Sequence, residues 1–197
     1  TPDWPRTTIV VQGLGDVGAG VARLLLERGA RVLAAELDGE RAERVSAELG
    51  VELIDPSSEV ARTCDVFAPC ALGGILHDLT LERLRCRIVA GGANNILARP
   101  VHGDRLHERG ILYVPDFVIN SGALIRGATF HLEGRREPVD SIGERIGAVA
   151  RRILALAVES DEPPARVAVR EAQRILAGGA PGAGLGAPAG AGTGRGS

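Results

Sequence analysis

Val11-Gln12-Gly13-Leu14-Gly15-Asp16-Val17-Gly18 is a G-x-G-x-x-G turn. It lies between an apolar run suited to a β-strand (Ile9, Val10, Val11) and an amphipathic helical run (Val21, Ala22, Leu24, Leu25, Leu26). A dinucleotide pyrophosphate needs that order. Gly13 permits the tight turn, Gly15 lets backbone approach the phosphates, and Gly18 lets helix and strand pack closely. The helix N-terminus then offers free N–H groups and partial positive charge. A second β-type run, Arg31-Val32-Leu33-Ala34-Ala35, delivers Glu36 followed by Leu37. A carboxylate there accepts both hydroxyls of an adenosine ribose and repels a 2′-phosphate, so NAD is expected over NADP. Asp38 is the nearest alternative acid. A βαβ unit with a ligand-free glycine turn is the plainer reading, and the coincidence of strand, turn, helix, strand and acid weighs against it.

Outward from this unit, strand and helix patterns alternate. Helical spacing from Gly39 to Leu49 stops at Gly50. Short strands are expected over Val51–Ile54, Asp65–Ala68, Arg87–Ala90 and Ile111–Val114. Strands separated by helices predict an α/β fold, a doubly wound, Rossmann-type parallel sheet. From Ser121 the pattern is wholly helical, with helices predicted over 122–132, 141–158 and about 163–176. The expected organisation is a nucleotide-binding domain over 1–176, trailing helices from about 121, and a disordered Gly/Ala/Pro tail over 177–197.

Bulk composition narrows the function classes. The 197 residues are 45% hydrophobic and 24% charged, enough for a sizeable core. A net charge of −2 argues against a nucleic-acid surface. No apolar run approaches about 20 residues, and the N-terminus has no hydrophobic signal region, so a cytoplasmic protein with no membrane contact is expected. The cysteines, Cys64, Cys70 and Cys86, make no C-x-x-C pair and read as reduced thiols, each foremost a small buried hydrophobe, with a place near a ligand as the alternative for Cys70. No His/Cys/Asp grouping has metal spacing, so no metal site is expected. His102 and His107 read as surface or capping residues, His77 and His131 likewise, and Arg135-Arg136 with Glu133 and Glu137 as a solvated face. All 23 basic residues are Arg. Without Lys there is no Schiff base and no lysine base, and Arg stays protonated with a pKa above about 12.

Three segments follow the later strands, where open α/β sheets bind ligands. They are Ala68-Pro69-Cys70-Ala71-Leu72-Gly73-Gly74, Ala90-Gly91-Gly92-Ala93-Asn94-Asn95 and Pro115-Asp116-Phe117-Val118-Ile119-Asn120-Ser121-Gly122. Each joins small residues to an amide or acid. With QGLGDVG, CDVFAPCALGG, AGGANN and HGDRLHERGILYVPDFVINSG, the chain from about Thr8 to Leu176 resembles the glutamate/leucine/phenylalanine/valine dehydrogenase family, its leucine, valine and phenylalanine members above all.

The resemblance implies oxidative deamination of an apolar L-amino acid to a 2-oxo acid, with hydride passed to NAD, in a homo-oligomer. It implies that Gly13, Leu14, Gly15, Asp16, Val17 and Gly18 hold the pyrophosphate and that Glu36, with Leu37, holds the adenosine ribose. Ala68, Cys70 and Ala71 would flank the nicotinamide half, beside Gly92 and Ala93. Asn94 or Asn95 would bond the nicotinamide ribose or lie beside the substrate. Asn120 to Gly127 would close the substrate pocket, with Leu124 and Gly127 facing the side chain. Family members carry the catalytic lysines on a preceding domain. The chain is therefore read as the cofactor domain alone, with no catalytic residue of its own and inactive by itself, a fragment or a natural short product. The rival readings are a non-catalytic NAD-binding regulatory or scaffold module, and a hydroxy-acid dehydrogenase of similar fold.

Overall fold

The computed structural model describes residues 3–178, so most of the tail expected over 177–197 lies outside the described residues. In chain order the elements are β1 (Thr8–Gln12), α1 (Asp16–Glu27), β2 (Arg31–Ala35), α2 (Gly39–Leu49), β3 (Glu52–Leu53), β4 (Val66–Pro69), α3 (Asp78–Arg83) and β5 (Ile88–Val89). There follow α4 (Val101–Glu108), β6 (Leu112–Tyr113), α5 (Asp116–Ile119), α6 (Gly122–Glu133), α7 (Val139–Ser160) and α8 (Pro164–Leu176). Short 3-10 turns cover Trp4–Arg6 and Pro56–Ala61.

The six strands form one sheet in the order β3-β2-β1-β4-β5-β6, every pair parallel. This is the doubly wound α/β arrangement the alternating pattern predicts. Both faces of the sheet are covered, and the strand sequences show why. Val10, Leu33, Phe67 and Val89 pack into one cluster with Leu81 and Leu106 of α3 and α4. Ile9, Val11, Val32, Ala34 and Ala68 pack on the other face with Ala22 and Val45 of α1 and α2. A strand buried on both sides has no polar alternation to show, hence the continuous apolar runs. Each fully buried Val, Leu or Phe contributes about 1.5–3 kcal/mol.

Val10 pairs with both Leu33 and Phe67. The chain therefore leaves the sheet at β3 and re-enters on the far side of β1, which opens a crevice at the carboxyl ends of β1 and β4. The helices after β6 have a small core of their own, Ile153 and Ala157 of α7 against Val167 and Ala168 of α8.

Several boundaries differ from the sequence expectation. β3, β5 and β6 are two residues long; β3 is an edge strand paired only with Leu33 and Ala34, and β6, the other edge, pairs only with β5. α7 is longer than 141–158 and starts directly after Pro138. α5 falls inside the segment that follows β6, for which no helix is predicted, where Pro115 precedes a first turn opened by Asp116.

One side-chain expectation is corrected, and for His102 the capping alternative holds rather than the surface one. Glu137 is not part of a solvated face: it is 9% exposed and accepts from Arg145 at 3.3 Å. His102 is not on the surface but 1% exposed. Its Nδ1 accepts from the Arg99 N–H at 3.1 Å, a capping contact, and its Nε2 lies 3.3 Å from Asp78.

Candidate functional site

The turn after β1 is built as its glycines require. Gly13 has φ +86°, and a Cβ there would sit 2.6 Å from the Ala71 Cβ. A Cβ at Gly18 would overlap the Gly13 carbonyl oxygen, so the first turn of α1 rests directly on the turn backbone. At Gly15, the N-cap of α1, a Cβ would meet only open space. No side chain caps α1, so its first N–H groups and positive end face that space.

The space belongs to a cleft of about 810 Å³ over the carboxyl ends of β1, β2 and β4, within the ~300–1,000 Å³ usual for small-molecule sites. Gln12, Gly13 and Gly15 line one side, Glu36, Leu37 and Arg41 a second, and Cys70, Ala71 and His77 a third. The Glu36 side chain is 8% exposed. It accepts from the Leu14 N–H (2.8 Å) and the Asp38 N–H (3.0 Å), with Arg41 at 3.4 Å. Burial pushes this carboxyl up, but the N–H bonds from Asp38 and Leu14 and the charge of Arg41 outweigh it and hold it below its ordinary pKa. Asp38 is engaged elsewhere, capping α2 by accepting from the Arg41 N–H at 3.1 Å. The two candidate acids are thereby separated: Glu36 lines the cleft and Asp38 starts a helix.

The remaining residues singled out in the sequence fall into distinct places. Leu14 is 1% exposed and Ala68 3%, both in the core beneath the cleft. Asp16 and Val17 are exposed on the first turn of α1, and Gly18 is buried. Cys70 is half-buried at the cleft wall, and burial pushes its thiol up. Gly92 packs closely on Val17.

The three segments after β4, β5 and β6 do meet. The Gly74 N–H donates to the Asn95 carbonyl at 2.7 Å. Asn120 donates to the Ala93 carbonyl at 3.3 Å and to the Asn94 side chain at 2.6 Å. Asn95 has φ +53° and lines a separate cavity of about 660 Å³ with Tyr113 and Asp116. Asn94 is therefore the amide joined to Asn120. Leu124 is 76% exposed on α6, and neither it nor Gly127 has an opposing wall among the described residues.

One polar pair of the cleft has no local sequence signature. Gln12 Nε2 donates to Glu59 at 2.7 Å, with both residues 9% exposed at the cleft floor. Burial raises the Glu59 pKa against the Gln12 bond, and Glu36 adds to the rise. Gln12 Oε1 is enclosed without a partner. The available signal was Gln12 itself, a polar residue ending a buried apolar strand and needing a partner there.

The cleft thus sets a helix N-terminus, suited to a pyrophosphate, beside a clamped carboxylate suited to a diol. Among the described residues, no His/Cys/Asp/Glu group could hold a metal ion, and no helix is long and apolar enough to cross a membrane.

Residues 36–129 match the family model described as glutamate/leucine/phenylalanine/valine dehydrogenase. A leucine dehydrogenase from Geobacillus stearothermophilus is 38% identical over 168 residues, covering 85% of this chain and 46% of that protein. A phenylalanine dehydrogenase from Thermoactinomyces intermedius is 40% identical over 131 residues, covering 66% of this chain and 36% of that protein. The crystal structure of L-tryptophan dehydrogenase from Nostoc punctiforme superposes with a TM-score of 0.83 at 33% identity, covering 88% of this chain and 53% of that one. The chain spans half or less of the length of the curated relatives it matches. Sequence and structure together support kinship with the glutamate/leucine/phenylalanine/valine dehydrogenase family.

Proposed function

We propose that this region is the NAD-binding domain of an amino-acid dehydrogenase that oxidatively deaminates an apolar L-amino acid. The observation that carries the reading is Glu36 beside the open N-terminus of α1, in a chain whose relatives are named as leucine, phenylalanine and tryptophan dehydrogenases. NAD, when bound, supplies the hydride acceptor. The chain's own residues bind and orient: α1 N–H groups take the pyrophosphate and Glu36 takes the ribose diol. The Asn94–Asn120 pair fixes the loops beside the nicotinamide end. The exposed apolar residues of α6, Leu124, Phe130 and Leu132, are the surface this reading gives to a substrate-bearing domain.

Glu36→Ala tests the cofactor assignment. Hydrogen bonds to a charged group contribute about 1.5–3 kcal/mol, so NADH affinity is expected to fall by about one to two orders of magnitude. NADPH, already disfavoured by the carboxylate, loses far less. Fluorescence titration of both cofactors reads this out. Equal NADH affinity in the variant overturns the ribose assignment, and a loss in Asp38→Ala instead moves the site to Asp38. A second reading, a non-catalytic NAD-binding module, draws on the absence of Lys from the 197 residues.

A further inference from the structure

Cys64 and Cys86 lie away from the cleft, at the amino-terminal ends of neighbouring strands. In the parallel β4–β5 ladder Val66 pairs with Ile88 and Phe67 with Val89. That register, run back two residues, sets Cys64 opposite Cys86. Backbone bonds carry the pairing that far: the Cys64 N–H donates to the Arg85 carbonyl and the Arg87 N–H to the Asp65 carbonyl, each at 3.1 Å. Both side chains belong to the same face of the sheet. Cys64 is buried in the cluster of Val10, Phe67 and Val89, and Cys86 packs against that cluster. Neighbouring strands run about 4.8 Å apart, within the Cα separation of roughly 4.4–6.8 Å that a disulfide spans. We propose that Cys64 and Cys86 form a redox-closable dithiol, a modification site at the amino-terminal end of the sheet, opposite the cleft, which hydrogen peroxide converts to an intrachain disulfide.

The step balances with peroxide as the oxidant. The Cys86 thiolate attacks one peroxide oxygen, hydroxide leaves, and a sulfenic acid forms. The Cys64 sulfur then attacks the Cys86 sulfur, so that the S–S bond forms, the S–O bond breaks and water departs. Two thiols lose two electrons and two protons, and the peroxide becomes two waters. Cys86 reacts first because it is only half-buried, whereas Cys64 is buried. Burial pushes the Cys86 thiol up to about 11, with N–H bonds and the nearby Arg109 holding it below the roughly 12 of Cys64. The thiolate is the nucleophile, so the oxidation rate rises about tenfold per pH unit from neutrality to pH ~9.

The test treats the full chain with hydrogen peroxide at pH ~9, alkylates remaining thiols and maps unreduced peptides by mass spectrometry. The expected product is a Cys64–Cys86 peptide pair, two hydrogens lighter and released by dithiothreitol. Closing the loop between the two strands should raise Tm by roughly 5–10 °C. Cys86→Ala should fold, yet lose both the cross-link and the rise. Recovery of Cys64 and Cys86 as alkylated thiols or as separate sulfinic acids overturns the proposal. So does a cross-link to Cys70 or between chains. None of these results depends on what the cleft binds.

Discussion

Given NAD and a panel of L-amino acids, the 197-residue chain is expected to bind the cofactor and to form no NADH. Deamination requires a base to take the ammonium proton and activate water, and a cation to hold the substrate carboxylate at hydride distance. The chain has Arg but no Lys, and Arg cannot act as the base. The two carboxylates that line the cleft are otherwise engaged. Glu36 already accepts two N–H groups and faces Arg41. Glu59 is bonded to Gln12 at the floor; away from the cleft, on α4, His102 is enclosed between Arg99 and Asp78. A missing base costs roughly 10²–10⁴-fold, and lost positioning more again. Together they remove about six orders of magnitude or more, below detection by nicotinamide absorbance. Fusing on the part of leucine dehydrogenase that this chain does not match is the decisive second arm. Turnover appearing only in the fusion supports the cofactor-domain reading. Turnover by the chain alone overturns the account of its catalytic groups. Binding without turnover in a folded fusion transfers support to the non-catalytic module.

The central strands were the easiest part of the fold to read. β1 and β2 are continuous apolar runs because both of their faces are covered, and the turn between them carries its own constraint in Gly13 and Gly18. The outer strands were harder. In β3 neither residue is buried, since it sits at the edge, so its length is set by pairing rather than by sequence. α5 has four residues, too few for helical periodicity to show.

At the site, local signals succeeded and long-range ones did not. Glu36 follows from its place at the end of β2. The Gln12–Glu59 bond joins residues 47 apart in sequence, and no local pattern announces such a pair. For His102 the sequence leaves a surface and a capping role open; it caps the start of α4 and shares a helix face with the buried Leu106 four positions on, a periodicity that its polarity hides. Leu124 and Gly127 were expected to line a pocket, but a pocket needs two walls, and the described residues supply one.

The glycine turn makes the other large prediction, through two substitutions of the same size that both weaken NADH binding but differ in Tm. Gly18→Ala places a methyl group onto the Gly13 carbonyl oxygen and 3.2 Å from the Cys70 Cβ. The obstacle is backbone in a tight turn, which cannot rotate aside. Overpacking of this kind costs about 1–3 kcal/mol, here at the upper end, so Tm should fall by roughly 5–10 °C and NADH binding should go with it as the turn is displaced. Gly15→Ala adds the same methyl group to open space, at φ −66°, a conformation alanine adopts readily. Replacing Gly by Ala at an N-cap costs less than about 1 kcal/mol, so Tm should hold within about 3 °C. The added methyl occupies the approach to the α1 N–H groups, however, and NADH affinity should fall at least tenfold by titration. A Gly18→Ala protein of unchanged Tm would show that α1 does not rest on the turn. A Gly15→Ala protein that binds NADH like the parent chain would show that the pyrophosphate does not lie against α1, whatever Glu36 holds.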